Sequence, residues 1–89
     1  MKVKLYAVLD SASGVYDGPV PAQADGVAVR NFTNMALDAN TAVGKNPEYF
    51  SLWRVGEWND AEGAIVPEVK ECLGYAVDLI AASNKENGA

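Results

Sequence analysis

From Asn46 to Ala64 the chain reads NPEYFSLWRVGEWNDAEGA, and this stretch limits the folds open to it more than any other. Phe50, Leu52, Trp53, Val55 and Trp58 are aromatic, branched or large apolar residues, the types that fit a pleated, half-buried surface. Pro47 can open a strand, because its missing N–H is harmless before the ladder begins. Asn59-Asp60-Ala61-Glu62-Gly63 then breaks the run with turn chemistry and predicts a tight hairpin. Both tryptophans and one of the two phenylalanines fall here, so a small chain must build its core around this strand.

The chain has 89 residues, enough for one domain. A domain of that size buries a limited share of its surface, so association with a second copy is expected. With 49% apolar residues it is a folded chain rather than a disordered one. Twelve acidic against seven basic residues give a net charge of −5, which opposes generic nucleic-acid binding but leaves open a local basic face. Cys72 is the single cysteine, so no internal disulfide can form. No signal peptide is legible, because Asp10 interrupts the first apolar run, and no stretch approaches the about 18–20 apolar residues of a membrane span. The expected location is a cytoplasm, with no membrane partner.

Along the chain, Val3, Leu5, Ala7 and Leu9 alternate with Lys2, Lys4, Tyr6 and Val8, which predicts a first strand. Asp10 to Ala24 is rich in Ser, Gly, Pro and Asp and reads as a long surface loop, with Tyr16 near its tip. Asp25 suits an N-cap, and Val29, Phe32, Met35 and Ala36 recur at helical spacing, giving a helix from about Gly26 to Asp38. After the hairpin, Ala64–Val69 reads as a short third strand with Pro67 at an edge or bulge. Glu68-Val69-Lys70-Glu71 leads into a second helix, with Leu73, Ala76, Val77, Leu79 and Ile80 in its stripe and Gly74 inside it. The residues predict a single domain over 1–83 and a polar tail over 84–89. The predicted fold is an α+β two-layer sandwich in the order strand-helix-strand-strand-helix: a three-stranded mixed sheet with two helices on one face. If the helices cover Val3, Leu5, Ala7 and Leu9, the other face carries Lys2, Lys4, Tyr6 and Val8. On the central strand the uncovered set is then either Ser51/Trp53/Val55/Glu57 or Phe50/Leu52/Arg54/Trp58, both containing aromatics.

Candidate chemistry is sparse. The chain has no histidine, which removes the usual base for a serine or cysteine nucleophile and the commonest metal ligand. Glu57, Asp60 and Glu62 crowd the hairpin without a calcium-loop spacing, and no glycine pattern matches a phosphate loop. No enzyme, cofactor or metal is expected. An uncovered sheet face bearing aromatics and cations instead suggests single-stranded nucleic acid, since stacking on aromatic rings contributes about 1–3 kcal/mol per base. The candidate binding residues are Lys2, Lys4, Tyr6, Trp53 and Arg54, with Arg30 as an outlier. Adjacent Trp53 and Arg54 cannot share one regular face, so the register between them stays open.

The landmarks in order resemble a known family. An opening strand ends at Asp10 and a loop bears Pro19 and Pro21; Asp25-Gly26-Val27-Ala28-Val29-Arg30 then leads to Phe32. Asn46-Pro47-Glu48 precedes Phe50-Ser51-Leu52, followed by Gly56, Asp60 and Gly63, and finally Leu73-Gly74-Tyr75-Ala76. Nearly the whole chain is similar to the small nonstructural protein of gokushoviruses, single-stranded DNA phages of the microvirus group. It departs from that pattern in Tyr49, where an acidic residue precedes the Phe, and in the pair Trp53 and Trp58. The resemblance implies a protein made in the infected bacterium, absent from the capsid, and accessory to genome replication or to the switch toward single-strand synthesis and packaging. It supplies no catalytic residues. Together these readings give a non-enzymatic, dimeric accessory protein binding single-stranded DNA. The alternative is an acidic adaptor or nucleic-acid mimic that binds phage or host replication proteins.

Overall fold

The computed structural model describes residues 2–86. Its sheet has four strands, β1 (Lys2–Asp10), β2 (Val15–Ala22), β3 (Phe50–Asn59) and β4 (Ala64–Tyr75), in the order β2-β1-β3-β4. Every neighbouring pair is antiparallel. Between β2 and β3 lie α1 (Asp25–Leu37), the single turn α2 (Ala42–Lys45) and a 3₁₀ turn at Pro47–Tyr49; α3 (Ala76–Glu86) closes the chain.

The α+β class stands, but the predicted three-stranded mixed sheet with two helices does not: the sheet has four antiparallel strands, and the described residues form three helices. The missed strand is β2, in the segment read as a loop. Asp10 turns the chain back: its carboxylate accepts the Ala12 N–H at 3.0 Å and its carbonyl accepts the Gly14 N–H at 2.8 Å. Val15, Tyr16 and Val20 then pair along β1. Pro19 and Pro21 are tolerated because β2 is an edge strand, where an outward N–H has no ladder partner. Gly18, with φ of +120°, sits in the register shift between Tyr6 and Val8, and a Cβ there would lie 3.2 Å from the Tyr6 carbonyl oxygen. This extra reversal makes β1 and β3 antiparallel, where a single helical crossover would have left them parallel.

The second correction is at β4. It runs on through Tyr75, and the last helix begins only at Ala76. The ladder to β3 continues to Ser51↔Tyr75, so Leu73 and Gly74, which mimic helical spacing with Ala76 and Ile80, are strand residues. Gly74 is small because Leu79 lies over it: a Cβ would be 3.1 Å from Leu79 Cδ1. α3 extends to Glu86, so residues 84–86 of the expected tail are helical, and 87–89 lie outside the described residues.

The sequence leaves the covered face open, and the helices pack on the β1 face of Tyr6 and Val8. Tyr6, Leu52, Phe32, Ala28, Ala36, Val43 and Ala76 form the buried cluster, with Val8, Phe50, Leu73, Leu79 and Ile80 against it. Along α1, Ala28, Phe32 and Ala36 fall at i, i+4 and i+8, one stripe of the helix turned to the sheet. Val3, Leu5, Ala7 and Leu9 therefore lie on the face without helices, here called the open face.

Candidate single-stranded nucleic-acid interface

A bulge in β3 decides what the open face carries. Leu5 pairs with Gly56 and Tyr6 with Arg54, leaving Val55 as the extra residue. Strict alternation would put Trp53 and Trp58 on opposite faces. The bulge brings both to the open face, Trp53 opposite Ala7 and Trp58 opposite Val3. From β2, Tyr16 stands opposite Leu9 on the same face. The rings of Tyr16 and Trp53 meet across β1 edge to face, centroids 6.3 Å apart, and Ala7 between them is only 5% exposed. Trp53 is fixed further by its indole N–H, which donates to Ser51 Oγ at 2.9 Å.

From β4, Lys70 reaches over the Tyr16 ring. Its ammonium lies 4.5 Å from the Tyr16 ring centroid and donates to the Tyr16 hydroxyl at 3.0 Å. No carboxylate occupies an open-face position in the strand register. Asp17, Glu57 and Glu71 pair at helix-side positions, and Glu68 meets Lys4 on that side. An acidic chain thus presents one aromatic sheet face bearing a cation and free of opposing charge.

The residues singled out from sequence are divided. Lys2, Lys4, Tyr6 and Arg54 share the helix side, as their register requires. Tyr6 is 1% exposed and belongs to the core, so its ring offers no stacking surface. Its hydroxyl donates to Asp25 Oδ1 at 2.6 Å; burial first, and then this bond to a carboxylate, push its pKa up to about 12. Arg54 donates to Asp25 Oδ2 at 2.5 Å and to Glu71. Asp25 therefore serves as the junction of α1 with the sheet rather than as the predicted N-cap, a place held by Ala24. Lys4 contacts Glu68 at 3.0 Å and Glu57 at 3.2 Å; these bonds, Glu68 foremost, raise its pKa. Lys2 lies 4.0 Å from Glu57. Arg30 is exposed on α1, beside the groove between α1 and α3. Only Trp53 of the predicted set reaches the open face.

The site expected from sequence did not include Tyr16 or Lys70, and Trp58 stood in it only as the alternative to Trp53. Tyr16 and Trp58 are aromatics outside regular hydrophobic spacing, which is a usable signal. Lys70 lies in the lead-in to the predicted second helix, and nothing in the sequence marked it.

At the end of the open face, beyond Trp53, a cleft of about 130 Å³ is lined by Tyr49, Trp53 and Tyr75 together with Ser11, Glu48 and Ser51. Ser11 N–H donates to the Tyr49 carbonyl at 2.8 Å, which ties together the two backbone segments that meet there. Among the described residues no group of three His, Cys, Asp or Glu is placed to hold a metal, and no helix is long and apolar enough to cross a membrane.

Comparison with known proteins agrees with a phage origin. No curated protein and no solved structure matches the chain. The family model described as Phage ORF5 protein matches residues 3–79, which contain the whole open face and the buried cluster. The chain belongs to the Phage ORF5 protein family.

Proposed function

We propose that this phage protein is a non-enzymatic, nonstructural accessory of genome replication, of the gokushovirus type, that binds single-stranded DNA on the open face of its sheet. The supporting observation is the aromatic surface of Tyr16, Trp53 and Trp58, with no carboxylate in its strand register and with Lys70 over Tyr16. Bases stack on such rings whatever their sequence, and two stacks contribute about 2–6 kcal/mol. Lys70 supplies a phosphate contact, and few cations imply a shallow salt dependence. At the upper end of that range, with phosphate contacts added, the sum approaches micromolar affinity, about −8 kcal/mol.

The role of the remaining cations is structural in this reading. Lys4 and Arg54 each answer two carboxylates and have little charge left for phosphate. The proposed dimer would not extend the sheet, because Pro19 and Pro21 on one edge strand and Pro67 and Lys70 on the other blunt both edges.

The test is fluorescence anisotropy with a short labelled single strand at low salt. Lys70→Ala with Tyr16→Ala should weaken binding about tenfold or more, while Lys2→Ala leaves it unchanged. No binding by the unaltered protein at low salt would remove this reading. The acidic adaptor for phage or host replication proteins would then lead, supported by the carboxylates Asp25, Glu57, Glu68 and Glu71 around Lys4 and Arg54.

A further inference from the structure

The cleft beside Trp53 has a chemistry different from the flat stacking surface. Three aromatic residues line it, and so do a residue with a carboxylate, Glu48, and one with a hydroxyl, Ser11. Its volume of about 130 Å³ is roughly ten times what one water needs, enough for a flat pyrimidine ring. The Trp53 ring is fixed by its bond to Ser51 Oγ, and the backbones around it are tied: Tyr75 sits opposite Ser51 in the ladder, and the Ser11 N–H donates to the Tyr49 carbonyl. A phosphate would be repelled by Glu48, so the strand's charge belongs on the Lys70 side and a base belongs in the cleft.

We infer that this cleft takes a single unstacked base bearing an exocyclic amine, with Glu48 accepting the amine hydrogens and Tyr49, Trp53 and Tyr75 packing the ring. A carboxylate can only accept, and cytosine presents an amine donor to it. Thymine carries a carbonyl oxygen, O4, where cytosine carries that amine, and this oxygen opposes a carboxylate, leaving N3–H as the one donor on the edge. The inference rests on the proposed strand binding, and it adds a base preference that stacking alone does not produce.

The experiment compares oligo-dC with oligo-dT on the unaltered protein and on Glu48→Ala. Glu48 is exposed on a 3₁₀ turn, so its removal spares the fold. The unaltered protein should bind oligo-dC roughly fivefold or more tightly than oligo-dT, and Glu48→Ala should bring the ratio close to one. Removing a negative charge can raise both affinities, so the ratio is the readout. Equal binding of the two strands by the unaltered protein would overturn the base preference and leave strand binding standing. A ratio that survives Glu48→Ala would also overturn it. Failure of both strands to bind would overturn strand binding and the base preference together.

Discussion

Tyr6→Phe isolates one hydroxyl at the joint between sheet and helix. The ring stays in the core, so apolar burial is unchanged, and only the bond to Asp25 at 2.6 Å is lost. Hydrogen bonds to charged groups contribute about 1.5–3 kcal/mol, but the Asp25 carboxylate keeps Arg54 and is partly reached by water. A loss of about 1–2 kcal/mol follows, which lowers the midpoint of thermal unfolding by roughly 5–15 °C for a domain of this size. The alkaline limb gives a second readout. The folded phenol holds its proton up to a pKa of about 12, above its ordinary value of 10.0, so the folded state binds more protons than the unfolded state between the two. The stability this provides is full below pH 10.0 and is lost as pH rises toward about 12. Two units correspond to about 3 kcal/mol, and Tyr6→Phe should lack that slope. Thermal melts followed by circular dichroism from neutral pH to pH 12 measure both effects. An unchanged midpoint at neutral pH together with an alkaline limb that superimposes on the unaltered protein would refute the reasoning.

Other substitutions probe the same framework. Phe32→Ala empties the centre of the α1 stripe at a cost of about 3–5 kcal/mol, and urea denaturation should show the chain largely unfolded or close to it. Asp25→Ala leaves Arg54 with Glu71 alone and Tyr6 with an unpaired buried hydroxyl; a loss of about 2–4 kcal/mol by the same assay is expected, larger than for Tyr6→Phe. Gly74→Val should destabilise by about 1–3 kcal/mol, because its branches meet the Leu79 side chain where a Cβ alone is already 3.1 Å away, and a midpoint equal to the unaltered protein's would show that Leu79 moves freely.

Sequence periodicity carried the parts of this fold where one rule acts alone. The α1 stripe is governed by a 3.6-residue repeat, and its predicted bounds differ from Asp25–Leu37 by a residue at each end. The hairpin after Trp58 is governed by turn chemistry and sits at the predicted place. The errors arose where two rules compete. Prolines and glycines in 15–22 obey the tolerance of an edge strand, which local composition cannot separate from a loop. Leu73, Ala76 and Ile80 fit a helix, but the β3 ladder claims everything to Tyr75. The site depended on a finer feature, the single bulge residue Val55, which changes the parity between Trp53 and Trp58. Parity is set by cross-strand pairing, and no local signal around Val55 announces it. The cations attracted attention for their sequence proximity to aromatics, whereas their partners, Glu57, Glu68, Glu71 and Asp25, lie up to 64 residues away and appear only on folding.

The central claim is that the aromatic open face, and not the helix side with its paired cations, meets the DNA. Amide and indole N–H chemical shifts mapped during titration with a short single strand test it most directly. The account predicts shifts at Tyr16, Trp53 and its indole, Trp58, Lys70 and Tyr75 that saturate together, with α1 and α3 unmoved. Shifts confined to Lys2, Lys4, Arg30 and the helices, or a spectrum unchanged at low salt, would contradict it.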